Sequence, residues 1–264
     1  MVDIHNHILF GIDDGAKNTE EALEMARTAA ANGITDIIAT PHHKIGVYEN
    51  YGPKIIELTD QVNNLIRSHQ IPVTVHPSQE IRIYGDVIAD LKTGKALPLM
   101  KDAPYVLIEL PTQEVPVYTE QLFTNMALEG YVPVIAHPER NSELQKNPNK
   151  LASLIELGAL CQVTAGVVVG RLGDYSQSVA QQMMKHKMIH FVASDAHNVT
   201  GRNFFMDECY EYIEGQYGID QVNYYKENAR KVLNGEKIRY VSPLEVQAGH
   251  LERQKKKKKF LGLF

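Results

Sequence analysis

Two short motifs lie far apart in this chain of 264 residues: His5-Asn6-His7 near the start and Asp195-Ala196-His197 well into the second half. Side chains alternate along an extended strand, so each motif projects two metal-binding groups to the same side. The carboxylate offers a hard oxygen and the imidazoles a borderline nitrogen. That mixture suits manganese, iron, zinc or cobalt better than an all-oxygen magnesium or calcium site. Glu80 and Glu109 each follow or end an apolar run, where an unpaired carboxylate is costly. They either bridge metal ions or form buried ion pairs with Arg82 or a helix cap. In Ile135-Ala136-His137-Pro138-Glu139-Arg140, a further imidazole is coupled to a guanidinium whose fork matches phosphate. Arg202, five residues beyond His197, invites the same reading. Of His42-His43, His42 is the expected ligand. Asp13-Asp14-Gly15 reads first as a turn, but one of its carboxylates can reach the site, and Asp14 is the choice. His69, His76, His186, His190 and His250 have no partner pattern.

Seven short β-rich runs position these groups: 2–5, 34–40, 73–79, 105–110, 132–137, 159–164 and 189–194. Most are continuously apolar, as strands buried on both faces must be. Helical patterns lie between them. The clearest is 19–32, with Asn18 as N-cap, Glu21 three residues on, Ala22, Met25, Ala26 and Ala29 on one face, and Gly33 closing it. Similar stripes contain Ile55, Leu58 and Val62, then Leu151, Leu154 and Ile155 after Asn147-Pro148, then Val179, Ala180, Met183 and Met184. Strands recurring about every 30 residues with helices between them predict a parallel sheet covered by helices. The first strand leads into His-Asn-His rather than a glycine-rich phosphate turn, so a nucleotide-binding open sheet is disfavoured. In a βα barrel, active sites form at the C-terminal strand ends. Six of the seven predicted ends carry His, Asp or Glu, although these types fill only 43 of 264 positions. The sixth, ending in Gln162 and Thr164, offers no strong ligand.

The net charge of −5 conceals an asymmetry: residues 253–264 hold six of the 27 basic residues and none of the 32 acidic ones. The remainder, 1–252, is read as one domain with a charge of −11 and is a poor nucleic-acid binder. The tail, five lysines followed by Phe-Leu-Gly-Leu-Phe, is either a solvated end or a weak peripheral membrane contact. Apolar runs are too short for a membrane span, and the first residues lack the basic region of a secretory signal. Two cysteines, Cys161 and Cys209, fit a reducing cytoplasm. Neither begins a Cys-x5-Arg loop, and no Gly-x-Ser-x-Gly elbow occurs. Any nucleophile is therefore expected to be metal-bound water.

MVDIHNHILFGIDDGA, IIATPHH, QEIRIYG, IAHPERN and FVASDAHN together resemble the PHP (polymerase and histidinol phosphatase) superfamily. Within it they are similar to the manganese-dependent protein-tyrosine phosphatases of bacterial capsule and exopolysaccharide operons, over nearly the whole chain. The resemblance implies a distorted (β/α)7 barrel, TIM-like, with three metals. One metal would take His5, His7, Glu80 and Asp195, a second Glu80, Glu109 and His137, and a third Asp14, His42 and His197. Arg140 and Arg202 would bind phosphate. Manganese is the first expectation, with iron, zinc, cobalt or magnesium as alternatives. Four carboxylates against three divalent ions leave about two positive charges, a field suited to a phosphate monoester dianion. The implied reaction is hydrolysis of phosphotyrosine by metal-bound hydroxide, acting on a membrane-associated bacterial tyrosine kinase. The alternatives are a PHP phosphoesterase for a small monoester and a non-catalytic kinase-binding regulator.

Overall fold

The computed structural model describes residues 1–244 and 246; the expectations for His250 and for the 253–264 tail lie outside them. In chain order the elements begin with β1 (Val2–Asn6), α1 (Thr19–Ala31), β2 (Asp36–Ala39), β3 (His42–His43), α2 (Gly52–Ser68), β4 (Thr74–Pro77) and β5 (Glu80–Arg82). They continue with α3 (Val87–Thr93), β6 (Tyr105–Glu109), α4 (Thr119–Leu128), β7 (Val132–Ala136), a 3-10 turn (Pro138–Arg140), α5 (Ser142–Lys146) and α6 (Pro148–Glu156). The last are β8 (Leu160–Thr164), α7 (Ala165–Val168), α8 (Asp174–Lys185), β9 (Phe191–Ala193), α9 (Met206–Tyr217) and α10 (Ile219–Leu233).

All strand pairs are parallel, in two sheets ordered β1-β2-β4 and β3-β5-β6-β7-β8-β9. The second and third expected strands appear as β2 and β4, and each is followed, beyond its expected end, by a further short strand, β3 and β5. Pro41, which has no N–H to give the ladder, separates β2 from β3, and Ser78-Gln79 separates β4 from β5. Across the breaks the Ser78 amide donates to Ala39 O (2.9 Å) and the Glu80 amide to Pro41 O (3.1 Å). The ring closes between β9 and β1, where the Asp195 amide donates to His5 O and the His7 amide to Ala196 O, both at 2.9 Å. The result is the expected (β/α)7 arrangement. His42 and Glu80 are not residues that follow strands: they begin β3 and β5, paired in register.

Two apolar layers account for the unbroken hydrophobic runs. Tyr105, Leu107, Val134, Ala136, Leu160, Phe191 and Ala193 form one buried cluster with Ile4 and Ile38. The alternate residues Val106, Ile108, Ile135, Cys161, Val163 and Val192 pack in the other, which includes the buried faces of the helices. Along β6, β8 and β9 the first register continues from apolar residues to Glu109, to Gln162 and Thr164, and to Asp195 just past the strand, so polar groups cap an apolar floor. α1 is capped as expected: Asn18 Oδ1 accepts from the Glu21 amide at 2.9 Å, and Glu21 Oε2 accepts from the Lys17 amide. The sequence did not announce α3, α4, α5, α7, α9 or α10.

Candidate metal centre

β1 delivers His5 and His7, both buried, and each is oriented through its Nδ1 atom. His5 Nδ1–H donates to Gln162 Oε1 (3.0 Å), and His7 Nδ1–H donates to Asp13 Oδ2 (2.7 Å). That tautomer leaves the Nε2 lone pair of each ring free to act as a ligand. The two Nε2 atoms lie 3.3 Å apart, and each is 3.4 Å from Glu80 Oε2 and from Asp195 Oδ1. His5 Nε2, His7 Nε2 and a Glu80 carboxylate oxygen come close enough together to share one ion, with Asp195 Oδ1 beside the two imidazoles. Glu80 Oε2 is buried without a hydrogen-bond donor. The donor set therefore fits a divalent cation.

Further ligand-type groups adjoin these donors. His137 Nε2 is 2.7 Å from Glu80 Oε1, His42 Nδ1 is 2.8 Å from Glu80 Oε2, and Glu109 Oε2 is 4.0 Å from His42 Nδ1. His42 Nε2 and His197 Nε2 each lie 3.3 Å from Asp14 Oδ1. His197 Nδ1–H donates to Asp195 O (2.9 Å), which leaves its buried Nε2 without a hydrogen bond. All nine ligand candidates thus occupy one continuous cluster at the C-terminal strand ends. Three groupings in it could hold an ion: His7, Asp14, His42 and His197; His5, His7 and Glu80; and His42, Glu80 and Glu109. His42, with a nitrogen toward Glu80 and another toward Asp14, joins two of them.

Burial disfavours charge on every member, and the neighbours decide the outcome. It would raise the Glu80 carboxyl, but His42, His5 and the hydrogen bond from His137 hold it well below the usual range. Asp195 is likewise kept ionised against its burial by Arg140 and His5. The His42 imidazole, despite burial, is pushed up to about 10 by Glu80 and Asp14. Burial and the neighbouring His7 charge push His197 down to about 4.

Local backbone features bring these groups together. Gly15 packs so closely on His7 that a Cβ there would stand 2.1 Å from the His7 carbonyl oxygen. This approach lets Asp13 accept from the Gly15 amide (2.9 Å) and the His42 amide (3.0 Å) while orienting His7. His137 and Asp195 both adopt left-handed backbone, with φ of 32° and 51°, a conformation that costs non-glycine residues about 1–3 kcal/mol and clusters at functional sites.

Two arginines edge the centre. Arg140 Nη2 is 2.6 Å from Asp195 Oδ2 and donates to Thr164 Oγ1 (3.0 Å). Arg202 reaches Asp195 Oδ2 at 3.1 Å and Asp14 Oδ2 at 3.4 Å. Both line a cavity of ≈ 210 Å³ with His42, Glu109 and His137. Three residues named in the sequence take roles it did not assign: Asp13, passed over for Asp14, orients His7; Gln162 orients His5; and Thr164 accepts from Arg140. The position of Gln162 and Thr164 at a strand end was the available signal, discounted because neither is a strong ligand. The ion-pair reading of Glu109 also holds, since Arg82 Nη2 is 2.8 Å from its Oε1, leaving Oε2 toward His42. His43 is buried edge-on to Tyr51 and Tyr84, and His76 pairs with Asp36 at 3.0 Å.

Known proteins resemble this chain over most of its length. The chain is 44% identical over 264 residues to the tyrosine-protein phosphatase YwqE of Bacillus subtilis, covering all of both chains. It is 29% identical to the tyrosine-protein phosphatase CpsB of Streptococcus pneumoniae, over 88% of this chain and 98% of that one. A crystal structure from work on YwqE and CpsB, described as unique metal-dependent tyrosine phosphatases, superposes with a TM-score of 0.91 at 44% identity, covering 94% of this chain and 100% of the other. Residues 1–234 match the family model for capsular polysaccharide synthesis, CpsB/CapC, and it is to this family that the chain belongs.

Proposed function

We propose that this protein is a protein-tyrosine phosphatase that uses three divalent metal ions, manganese foremost. The observation carrying the reading is the convergence of His5, His7 and Glu80 donor atoms, with Asp195 Oδ1 3.4 Å from both imidazoles and the two arginines adjoining. These four residues would hold one ion, Glu80, Glu109 and His137 a second, and Asp14, His42 and His197 a third. Such ions, when bound, polarise phosphoryl oxygens and bring the pKa of coordinated water down to about 7. Arg140 and Arg202 are assigned to the phosphoryl group. Each guanidinium carries five N–H donors, and the contacts to Asp195, Thr164 and Asp14 leave others for phosphate oxygens. Asp13, Gln162 and Thr164 act through their neighbours by fixing the ring of His7, the ring of His5 and the fork of Arg140. A tyrosine leaving group, with pKa about 10, needs far less protonation than an alkoxide, so no dedicated acid is assigned.

The substrate would be a phosphotyrosine protein, specifically a membrane-associated bacterial tyrosine kinase that regulates capsule or exopolysaccharide synthesis. Residues 1–252 would form the single catalytic domain. The lysine-rich 253–264 segment would add a weak contact with the inner membrane face, at about 1 kcal/mol per lysine near an anionic surface. No helix among the described residues is long and apolar enough to cross a membrane.

The test is phosphate release from a phosphotyrosine peptide after chelation, followed by restoration of single metals. Loss on chelation and best recovery with manganese is the expected result, with no phosphoprotein trapped by acid quench. Much faster turnover of histidinol phosphate would replace this reading with a small-molecule phosphoesterase. Kinase binding without release by any metal would replace it with a regulator.

A further inference from the structure

We infer that the β-hairpin 44–48, at the rim of the catalytic cavity, reads the substrate polypeptide beside the phosphotyrosine and selects an apolar or aromatic residue there. The inference rests on the phosphotyrosine reading above and adds a substrate class to it.

The hairpin follows β3 directly. The Lys44 amide donates to Tyr48 O (2.8 Å), and the Tyr48 and Val47 amides donate to Lys44 O (2.9 and 3.0 Å). Gly46 supplies the positive φ of 78° that the turn requires, and its amide donates to Glu49 Oε1 (3.1 Å). Asn50 pins the base by donating to His42 O and Ile12 O, both at 2.9 Å. The tip is thus held by its own backbone bonds, with no apolar side chain needed for closure. Ile45 and Val47 nevertheless stand 51% and 59% exposed. The Tyr48 ring lies parallel to His42, with centroids 5.7 Å apart, joining the hairpin to the centre.

A second exposed apolar pair lies on the loop after β6. β3, β5 and β6 are neighbours in the sheet and carry His42, Glu80 and Glu109. The loop after β6 exposes Val117 completely and Tyr118 by 42%, and the Tyr118 hydroxyl donates to Ile83 O (3.2 Å) just beyond β5. Apolar groups are thus exposed after β3 and after β6, while Arg140 and Arg202 line the cavity from the segments after β7 and β9. Exposed apolar groups beside a binding cavity, as Ile45 and Val47 are through the Tyr48–His42 contact, mark contact sites. The occupant follows from continuity with the cavity, because a phosphotyrosine that enters it must carry its own backbone across the rim. In an extended peptide, residues one and two places away lie within about 7 Å along the chain. Neighbours on that side meet Ile45 and Val47.

The test compares manganese-loaded full-length protein with the double variant Ile45→Ser, Val47→Ser on three substrates. These are phenyl phosphate, a phosphotyrosine peptide with isoleucine and phenylalanine flanks, and the same peptide with glutamate flanks. Losing partial burial of two side chains predicts about a tenfold fall in kcat/KM on the apolar peptide. Phenyl phosphate and the glutamate peptide should be unaffected. Unchanged turnover of the apolar peptide overturns the inference. Equal loss on phenyl phosphate also overturns it, by showing that the hairpin merely supports His42. A dimer that becomes monomeric in sedimentation, with peptide preference intact, reassigns the patch to a second copy and overturns it too. Wild-type protein that leaves phenyl phosphate intact fails the phosphatase reading itself, and the inference falls with it.

Discussion

Asp13 and Asp14 are adjacent in sequence yet face different partners. Asp13 is bound to His7, the His42 amide and the Gly15 amide, whereas Asp14 faces His42 and His197 with its side chain 45% exposed. Removing a group that orients a metal-binding imidazole typically costs 10- to 100-fold in metal affinity. Asp13→Ala should therefore raise the manganese dissociation constant by about that factor, as measured by calorimetry. Saturating metal should restore much of kcat, and unchanged affinity would refute the orienting role. Arg140 differs in kind, since it lines the cavity and contacts Asp195. Arg140→Gln should lower kcat/KM for a phosphotyrosine peptide by about 10²–10³, the scale for losing one transition-state donor, with the metal content of the protein retained.

The elements around the centre are defined by interruptions as much as by regular structure. β2 and β4 stop so that β3 and β5 can restart with His42 and Glu80, and the turn after β1 doubles back through Gly15. Because a Cβ at position 15 would meet the His7 backbone at 2.1 Å, Gly15→Ala must displace either β1 or the turn. Overpacking of this kind costs about 1–3 kcal/mol. The variant should show a lowered Tm together with reduced metal binding, and normal values of both would show that the turn yields freely. Asn18→Ala, which removes the α1 cap, should cost about 1 kcal/mol and leave activity unchanged. The course of the strands and the cap of α1 were legible in the sequence because apolar runs and capping pairs are local. The restarts as β3 and β5 were not, because runs of two or three residues carry no periodicity and are strands only through pairing with each other and their neighbours.

Across the whole molecule, acid should unfold the protein partly through His190. This residue is buried just before β9, where its Nδ1 accepts from the Cys161 amide (3.1 Å) and its Nε2 finds no partner among the described residues. Burial pushes its pKa down to about 4, against about 6.5 in an unfolded chain. Between those values the unfolded state binds a proton that the folded state refuses, so stability falls as pH drops through 6.5 toward 4. A difference of that size is worth about 3 kcal/mol. Denaturant titrations at pH 7 and 4.5 should show a smaller loss in His190→Asn, which retains an acceptor but does not titrate. Equal losses in both would exclude His190 as the cause. Metal binding should stabilise the fold by about 2.7 kcal/mol at a hundred times the dissociation constant, read as a Tm that falls on chelation.

From its sequence alone, the protein's parallel βα architecture could be read, as could the concentration of ligand-type side chains at strand ends. Apolar periodicity and the alternation of side chains along a strand act over a few residues and are written in order. Tertiary structure decided how those residues divide their work. His5 is oriented by Gln162 from 157 positions away, and Ser194 is held through its amide and hydroxyl by Asp3 from 191 positions away, at the seam where the barrel closes. Arg82 takes one oxygen of Glu109, and Arg140 and Arg202 converge on Asp195. These assignments depend on which side chains meet once seven strands form a ring, a matter of distances that residue type and spacing do not encode.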